Sequence, residues 1–96
     1  MKKALKNKIN AYEKKPEKFD VYSYDEAEKK KLLEYMRSFE PSAVAGLVYD
    51  FVTKTQMKQE NIGYTDDEFS WSSSDIYHIE KYNAAVSEEF IKKINN

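Results

Sequence analysis

The sequence predicts an all-α fold: a small bundle of four to five short helices with at most one minor two-stranded element. Three observations predict it. Apolar residues recur three and four positions apart in several stretches, the spacing of one helical face. Residues that start or break helices fall between those stretches. Only two Gly and two Pro occur in 96 residues, which leaves little material for long irregular loops.

A first helix is expected over residues 2–15, where Leu5, Ile9 and Tyr12 share a face and Pro16 ends the run. Its apolar stripe is thin, so it needs tertiary packing to persist. Phe19 to Tyr24 alternates and suits a short strand or an extended connector, with the connector favoured. A second helix is expected from Asp25 to Phe39. Asp25, Glu26 and Glu28 favour its positive end, Glu26 and Lys30 form an i,i+4 pair, and Leu32, Leu33, Met36 and Phe39 make its buried stripe.

Pro41 breaks that helix and suits the first position of a third, along which Val44, Leu47, Val48, Phe51 and Val52 line one face. This is the most apolar segment and the expected central helix. Its β-branched and aromatic content favours a strand instead; the spacing and Pro41 decide for helix. Polar residues from Lys54 to Asn61 carry it to a stop at Gly63.

Thr65-Asp66-Asp67-Glu68 has the form of a capping box. It leads into a short helical turn carrying Phe69 and Trp71, with a small strand through 69–71 as the alternative. Ser72-Ser73-Ser74-Asp75 opens a further helix along Ile76, Ile79, Tyr82 and Asn83, with the Ser74 hydroxyl as the expected cap. After a break near Ala84–Val86, Ser87-Glu88-Glu89 starts a last helix, Glu88 to Ile94, with Val86 and Ile91 spaced as a hydrophobic staple. One domain over residues 1–96 follows, with a Lys-rich N-terminal helix within 1–18 and a helical core over 25–94.

A chain this short buries only about 60–65 % of its unfolded surface. Any site is therefore a surface patch, a shallow cleft or an oligomer interface. The absence of Cys excludes disulfides, thiolate metal sites and Cys nucleophiles. Aromatic residues make up 15 % of the chain, which argues against disorder. The charged start leads into no apolar h-region, and the longest apolar run, Ala43 to Tyr49, is far short of a membrane span. A cytoplasmic protein with no membrane segment is expected.

Net charge is -1, but it is unevenly spread. Residues 1–18 hold seven Lys against Glu13 and Glu17, whereas residues 60–89 hold eight acids against Lys81 alone. A basic head and an acidic tail third can pair internally, dimerise head to tail, or face different partners. Lys2, Lys3, Lys6, Lys8, Lys14 and Lys15 form a candidate nucleic-acid surface. Arg37 is the only Arg, so such a surface offers diffuse attraction, not base reading.

Ser74, Asp75 and His78 superficially supply a triad, with Ser74 and His78 one helical turn apart. Catalysis also needs an oriented base and an oxyanion site, and capping accounts for these residues better. His78 is the only His, and Asp75 or Glu80 alone does not complete a transition-metal site. Asp66-Asp67-Glu68 lacks the spacing of a calcium loop, and Gly46 and Gly63 stand alone, so no phosphate-binding loop exists. No metal, cofactor or enzymatic activity is expected.

The eight Tyr (Tyr12, Tyr22, Tyr24, Tyr35, Tyr49, Tyr64, Tyr77 and Tyr82) exceed what one small core hides. Tyr suits interfaces because it offers large apolar area with a polar tip. The expected function is non-enzymatic: a small accessory protein that binds another protein through Tyr64, Asp66, Asp67, Glu68, Trp71, Tyr77 and Tyr82. Clustered carboxylates can mimic phosphate charge, so an inhibitor of a nucleic-acid-handling or defence protein would fit. Homo-oligomerisation is a further expectation. The alternative is weak nucleic-acid association through the Lys-rich head.

The stretch Phe69-Ser70-Trp71-Ser72-Ser73-Ser74-Asp75-Ile76-Tyr77-His78-Ile79-Glu80-Lys81-Tyr82-Asn83, followed by Ser87-Glu88-Glu89-Phe90, resembles small uncharacterised accessory proteins carried by conjugative elements and phages of low-GC Gram-positive bacteria. The resemblance covers roughly the C-terminal third and implies mobile-element cargo without implying an activity. Frequent Lys, Asn and Ile agree with an AT-rich bacterial or phage genome.

Overall fold

A computed structural model describes residues 2–5 and 20–95. In chain order the elements are β1 (Lys2–Lys3), α1 (Glu26–Arg37), β2 (Ala43–Asp50), β3 (Thr55–Thr65), β4 (Phe69–Ser72), α2 (Ser73–Tyr82) and α3 (Glu88–Asn95). The fold is mixed α/β, which overturns the expected all-α bundle. Among the described residues, four strands form a sheet in the order β1-β4-β3-β2. The β2–β3 and β3–β4 pairs are antiparallel, while β1 lies parallel to β4 with Lys2 opposite Phe69.

Three expected helical stretches are corrected. Lys2–Lys3 is a strand because the Lys2 and Ala4 N–H groups donate to the Glu68 and Ser70 carbonyls at 3.2 and 3.0 Å, burying Ala4 and Leu5 in the core. The remainder of that expected helix, residues 6–15, lies outside the described residues. The expected third helix is the β2–β3 hairpin. Val44 faces Ile62, Leu47 faces Glu60 and Tyr49 faces Gln56, with register shifts between Val44 and Leu47 and between Leu47 and Tyr49. Bulges break strand alternation, and here they leave apolar residues three and four apart, imitating a helical face. Gly63 is no helix stop; it sits within β3 opposite Ala43 and Ser72.

The Thr65 capping box is also absent. Residues 66–68 form the β3–β4 turn, in which Asp66 Oδ1 accepts from the Glu68 and Phe69 N–H groups at 2.7 and 2.6 Å. An Asx turn of this kind is an alternative use of the residues that cap helices. The strand through 69–71 forms instead of the helical turn.

The remaining helices follow their capping signals. Asp25 accepts from the Glu28 N–H at 2.7 Å, so α1 begins where its acidic first turn placed it. Ser72, not Ser74, caps α2. Its hydroxyl accepts from the Asp75 N–H while the Asp75 carboxylate accepts from the Ser72 N–H, and Asn83 closes the helix in the left-handed region at φ 58°. Ser87 accepts the Phe90 N–H through its hydroxyl and the Ile91 N–H through its carbonyl, opening α3. Residues 20–24 run as an extended connector beside 83–86, tied by Tyr22 N–H to Asn83 O at 2.9 Å and Tyr24 hydroxyl to Ala84 O at 2.7 Å.

The core gathers Leu32, Leu33 and Met36 of α1, Phe69 and Trp71 of β4, Ile76 and Ile79 of α2, and Phe90 of α3. The Phe90 ring lies 5.0 Å from Phe69 and 5.5 Å from Trp71. The β2–β3 hairpin meets this core through the β3–β4 pairing, with Tyr64 packed against it, while Val48, Asp50 and Phe51 at its turn end are buried. No helix among the described residues is long and apolar enough to cross a membrane.

Candidate binding surface

The Tyr- and acid-rich residues singled out in the sequence fall into separate places. Trp71 belongs to the core: it is 3 % exposed, and its indole N–H donates to the Met36 carbonyl at 3.0 Å. Tyr64 faces it across the β3–β4 pair and is half-buried. It lines a shallow cleft with Gln59, Tyr77, Arg37 and Glu80, and the last two form an ion pair.

Asp66, Asp67 and Glu68 sit together at the β3–β4 turn and are neutralised from within. The Asp66 side chain is 3 % exposed. Beyond its turn bonds, it accepts from the Tyr35 hydroxyl at 2.7 Å and from Lys93 Nζ at 3.2 Å. Burial alone would raise its carboxyl; the Phe69 and Glu68 amides, Tyr35 and Lys93 outweigh that and hold it at about 2. Lys93 also pairs with Asp67 and reaches Glu68 at 3.8 Å. Lys2 contacts Glu68 at 3.5 Å and Glu89 at 2.7 Å. The nearest described part of the basic head thus pairs internally with the acidic third. Lys3 is exposed, and Lys6, Lys8, Lys14 and Lys15 lie outside the described residues.

Tyr77 and Tyr82 serve a different group, centred on Asp50, which sequence reasoning missed. Asp50 is almost fully buried at the end of β2. Its Oδ1 accepts from the Val52 and Thr53 N–H groups, both at 2.9 Å, and its Oδ2 accepts from the Tyr77 and Tyr82 hydroxyls at 2.6 and 2.7 Å. Lys81 Nζ stands 3.7 Å away. Burial pushes the Asp50 carboxyl up, but Tyr77, the Thr53 amide, Tyr82 and the Val52 amide together bring it well below the usual carboxylate range. An Asp at the end of an apolar run, just ahead of a tight turn, is the one sequence signal that could have found it.

His78 is fully buried beside this group. Its Nδ1–H donates to the Ser74 carbonyl at 2.6 Å, and its Nε2 accepts from the Phe51 N–H at 3.2 Å. That arrangement needs a neutral ring, and burial lowers its pKa accordingly. The contact with Ser74 is to its carbonyl and not its hydroxyl. With both carboxylate oxygens and both ring nitrogens occupied, Asp50 and His78 form a clamp that holds α2 to the β2–β3 turn. No metal-binding group of three His, Asp or Glu occurs among the described residues.

Among the described residues, no strand pairs with the outer side of β2, which stands at one end of the strand order; Ala43 to Tyr49 carries no charge, and Val44, Leu47 and Val52 are 61, 40 and 53 % exposed. Edge strands are normally blunted by charges or Pro. Here the protection is limited to the bulged backbone at Gly46, whose φ of 74° suits glycine. Compared with family models, curated proteins and solved structures, the chain matches none of them. Fold and surface together define a small mixed α/β domain with one uncharged, apolar sheet edge.

Proposed function

We propose that the protein is a non-enzymatic binding module that engages another protein by strand addition along the outer edge of β2. The observation that carries this reading is an end strand whose Ala43–Tyr49 stretch carries no charge, with no strand on its outer side among the described residues, flanked by the exposed apolar side chains of Val44, Leu47 and Val52. Strand addition supplies affinity through main-chain hydrogen bonds and specificity through alternate side chains. The Tyr- and acid-rich surface is the weaker candidate, because Trp71 and Asp66 are buried and Tyr77 and Tyr82 are spent on Asp50.

Photo-crosslinking tests the reading. A benzophenone side chain placed at Leu47, in the intact chain within its native cells, is expected to capture a protein through an extended segment. The same group at the exposed Lys31 of α1 should capture far less. Equal yields at the two positions would overturn the assignment of the edge.

A further inference from the structure

We propose that the clamp between α2 and the β2–β3 turn is an acid-released latch: a proton taken up at Nε2 of His78 expels the Phe51 N–H and frees the turn end of the hairpin, while the main core stays closed. A neutral imidazole has one acceptor lone pair. In His78 that pair is filled by the Phe51 N–H at 3.2 Å, and the other ring nitrogen is committed to the Ser74 carbonyl at 2.6 Å. The ring is fully buried, so a second proton sets two donors face to face away from water. One of them has to leave, and the Phe51 amide belongs to the turn.

That end of the hairpin is separable from the rest of the fold. Val48 and Phe51 are buried, yet neither belongs to the cluster that joins Leu32, Met36, Phe69, Trp71, Ile79 and Phe90. Their anchor is α2, where the Phe51 ring lies 5.3 Å from that of His78. Further along β3 the hairpin is held independently. Asn61 Oδ1 accepts from the Ser74 N–H at 3.0 Å, the Ser73 hydroxyl accepts from the Ile62 N–H at 3.1 Å, and Gly63 to Thr65 pair with β4. Residues 61–65 therefore form the pivot about which the turn moves.

The charged and titratable groups around the ring, among the described residues, are Asp50 of β2 and Tyr77, Lys81 and Tyr82 of α2. Asp50 attracts an imidazolium, and burial opposes it more strongly. The Tyr77 and Tyr82 bonds to Asp50 span the joint and break on release, so they set how firmly the latch closes while His78 sets its response to pH. The closed ring titrates below its ordinary value and the released ring near about 6.5. Opening therefore grows as pH falls below about 6.5, by at most about tenfold per unit, and levels off once the closed ring is protonated.

Amide hydrogen exchange of the full chain between about pH 8 and about pH 4, read as protection relative to an unstructured peptide at the same pH, tests this. Phe51 should be less protected than Leu33 and Met36 of α1 by roughly tenfold or more. It should also respond more weakly to dilute urea, the mark of a local opening. Its protection should fall below about pH 6.5 by up to about tenfold per unit. His78→Gln puts an uncharged amide oxygen in place of the accepting Nε2 and should make the Phe51 profile flat.

Protection and urea response at Phe51 equal to those at Leu33 and Met36 would mean that the turn leaves only when the whole chain unfolds, and would overturn the latch. A flat Phe51 profile in the parent, or an unchanged slope in His78→Gln, would overturn it too. Where that variant does not fold, the parent decides alone. The fall at Phe51 should stop no later than the completed titration of the His78 ring resonances, and a fall that continues beyond it refutes the assignment to His78.

Discussion

Removing the Asp50 carboxylate gives the sharpest test of the clamp. Asp50→Ala strips the acceptor from four donors at once: the Val52 and Thr53 amides and the Tyr77 and Tyr82 hydroxyls. At about 1 kcal/mol net per hydrogen bond, the upper bound is about 4 kcal/mol. Val52 and Thr53 are exposed and the two Tyr half-buried, so water reaches part of what the carboxylate leaves, and its desolvation is relieved. A loss of about 2–4 kcal/mol follows. Asp50→Asn keeps the shape and one acceptor oxygen. The phenols can rotate to accept from the new amide, so mainly charge assistance is lost, about 1–2 kcal/mol. Urea unfolding followed by the emission of Trp71, the sole Trp, reads both variants. For a domain of this size the Ala variant should melt lower by at least about 8 °C. An Ala variant within about 0.5 kcal/mol of the parent, or one no worse than Asn, would refute the clamp as a source of stability.

Three further outcomes are expected. Phe90→Ala empties a fully buried site against Phe69 and Trp71 and should cost about 3–5 kcal/mol by urea unfolding. Ser72→Ala removes the α2 cap and one half of its capping box, at about 1 kcal/mol, whereas Ser74→Ala removes no cap and serves as the comparison. The third concerns pH. Burial holds His78 below its ordinary pKa, so its contribution is present above about 6.5 and is lost as pH falls through the lowered folded value, by at most about 1.4 kcal/mol per pH unit. Desolvation pushes the Asp75 carboxyl up to about 6 against the Ser72 amide and the Lys3 charge. Its contribution is therefore present below about 4 and is lost as pH rises through that raised value. The two trends oppose each other in mild acid, so Asp75→Asn should show a steeper fall in urea midpoint than the parent below about pH 6.5. Superimposable profiles would show that the opposition does not exist.

Helix starts were the legible part of this fold. Asp25 and Ser87, and the Ser72–Asp75 cluster, each carry a hydroxyl or carboxylate ahead of an acidic first turn, and the structure uses each as a cap. A cap acts within one turn of chain, so its signal is local and readable. Thr65–Glu68 carries the same letters and fails, because the Asp66 carboxylate closes a hairpin between two strands that pair only in the tertiary structure. Lys2–Lys3 fails for a related reason: its partner is β4, far along the chain. The candidate site was legible in kind but not in place. Tyr77 and Tyr82 are indeed polar-tipped aromatics seeking partners, yet their partner is Asp50, on another element.

The misreading of β2 and its open edge have one cause. A buried face imposes a period on a sequence because every apolar residue must point the same way; β4 shows this, with Phe69 and Trp71 buried and the alternating Ser70 and Ser72 less so. Among the described side chains of β2 only Val48 and Asp50, toward its far end, are buried, so nothing forces Val44 and Leu47 onto a common inner face. Their spacing is free to drift across the extra β2 residue between Val44 and Leu47 into a helical pattern. A run of apolar residues whose period matches no core of its own has little reason to be apolar within an isolated copy. Such a strand is explained when the missing face is supplied from outside, and the substitution that decides between the two situations is Leu47→Lys. If β2 works only within its own chain, a charge at this exposed position costs less than about 0.5 kcal/mol and changes nothing else. If the strand is completed by another, the same change leaves the fold's urea midpoint in place and removes association alone.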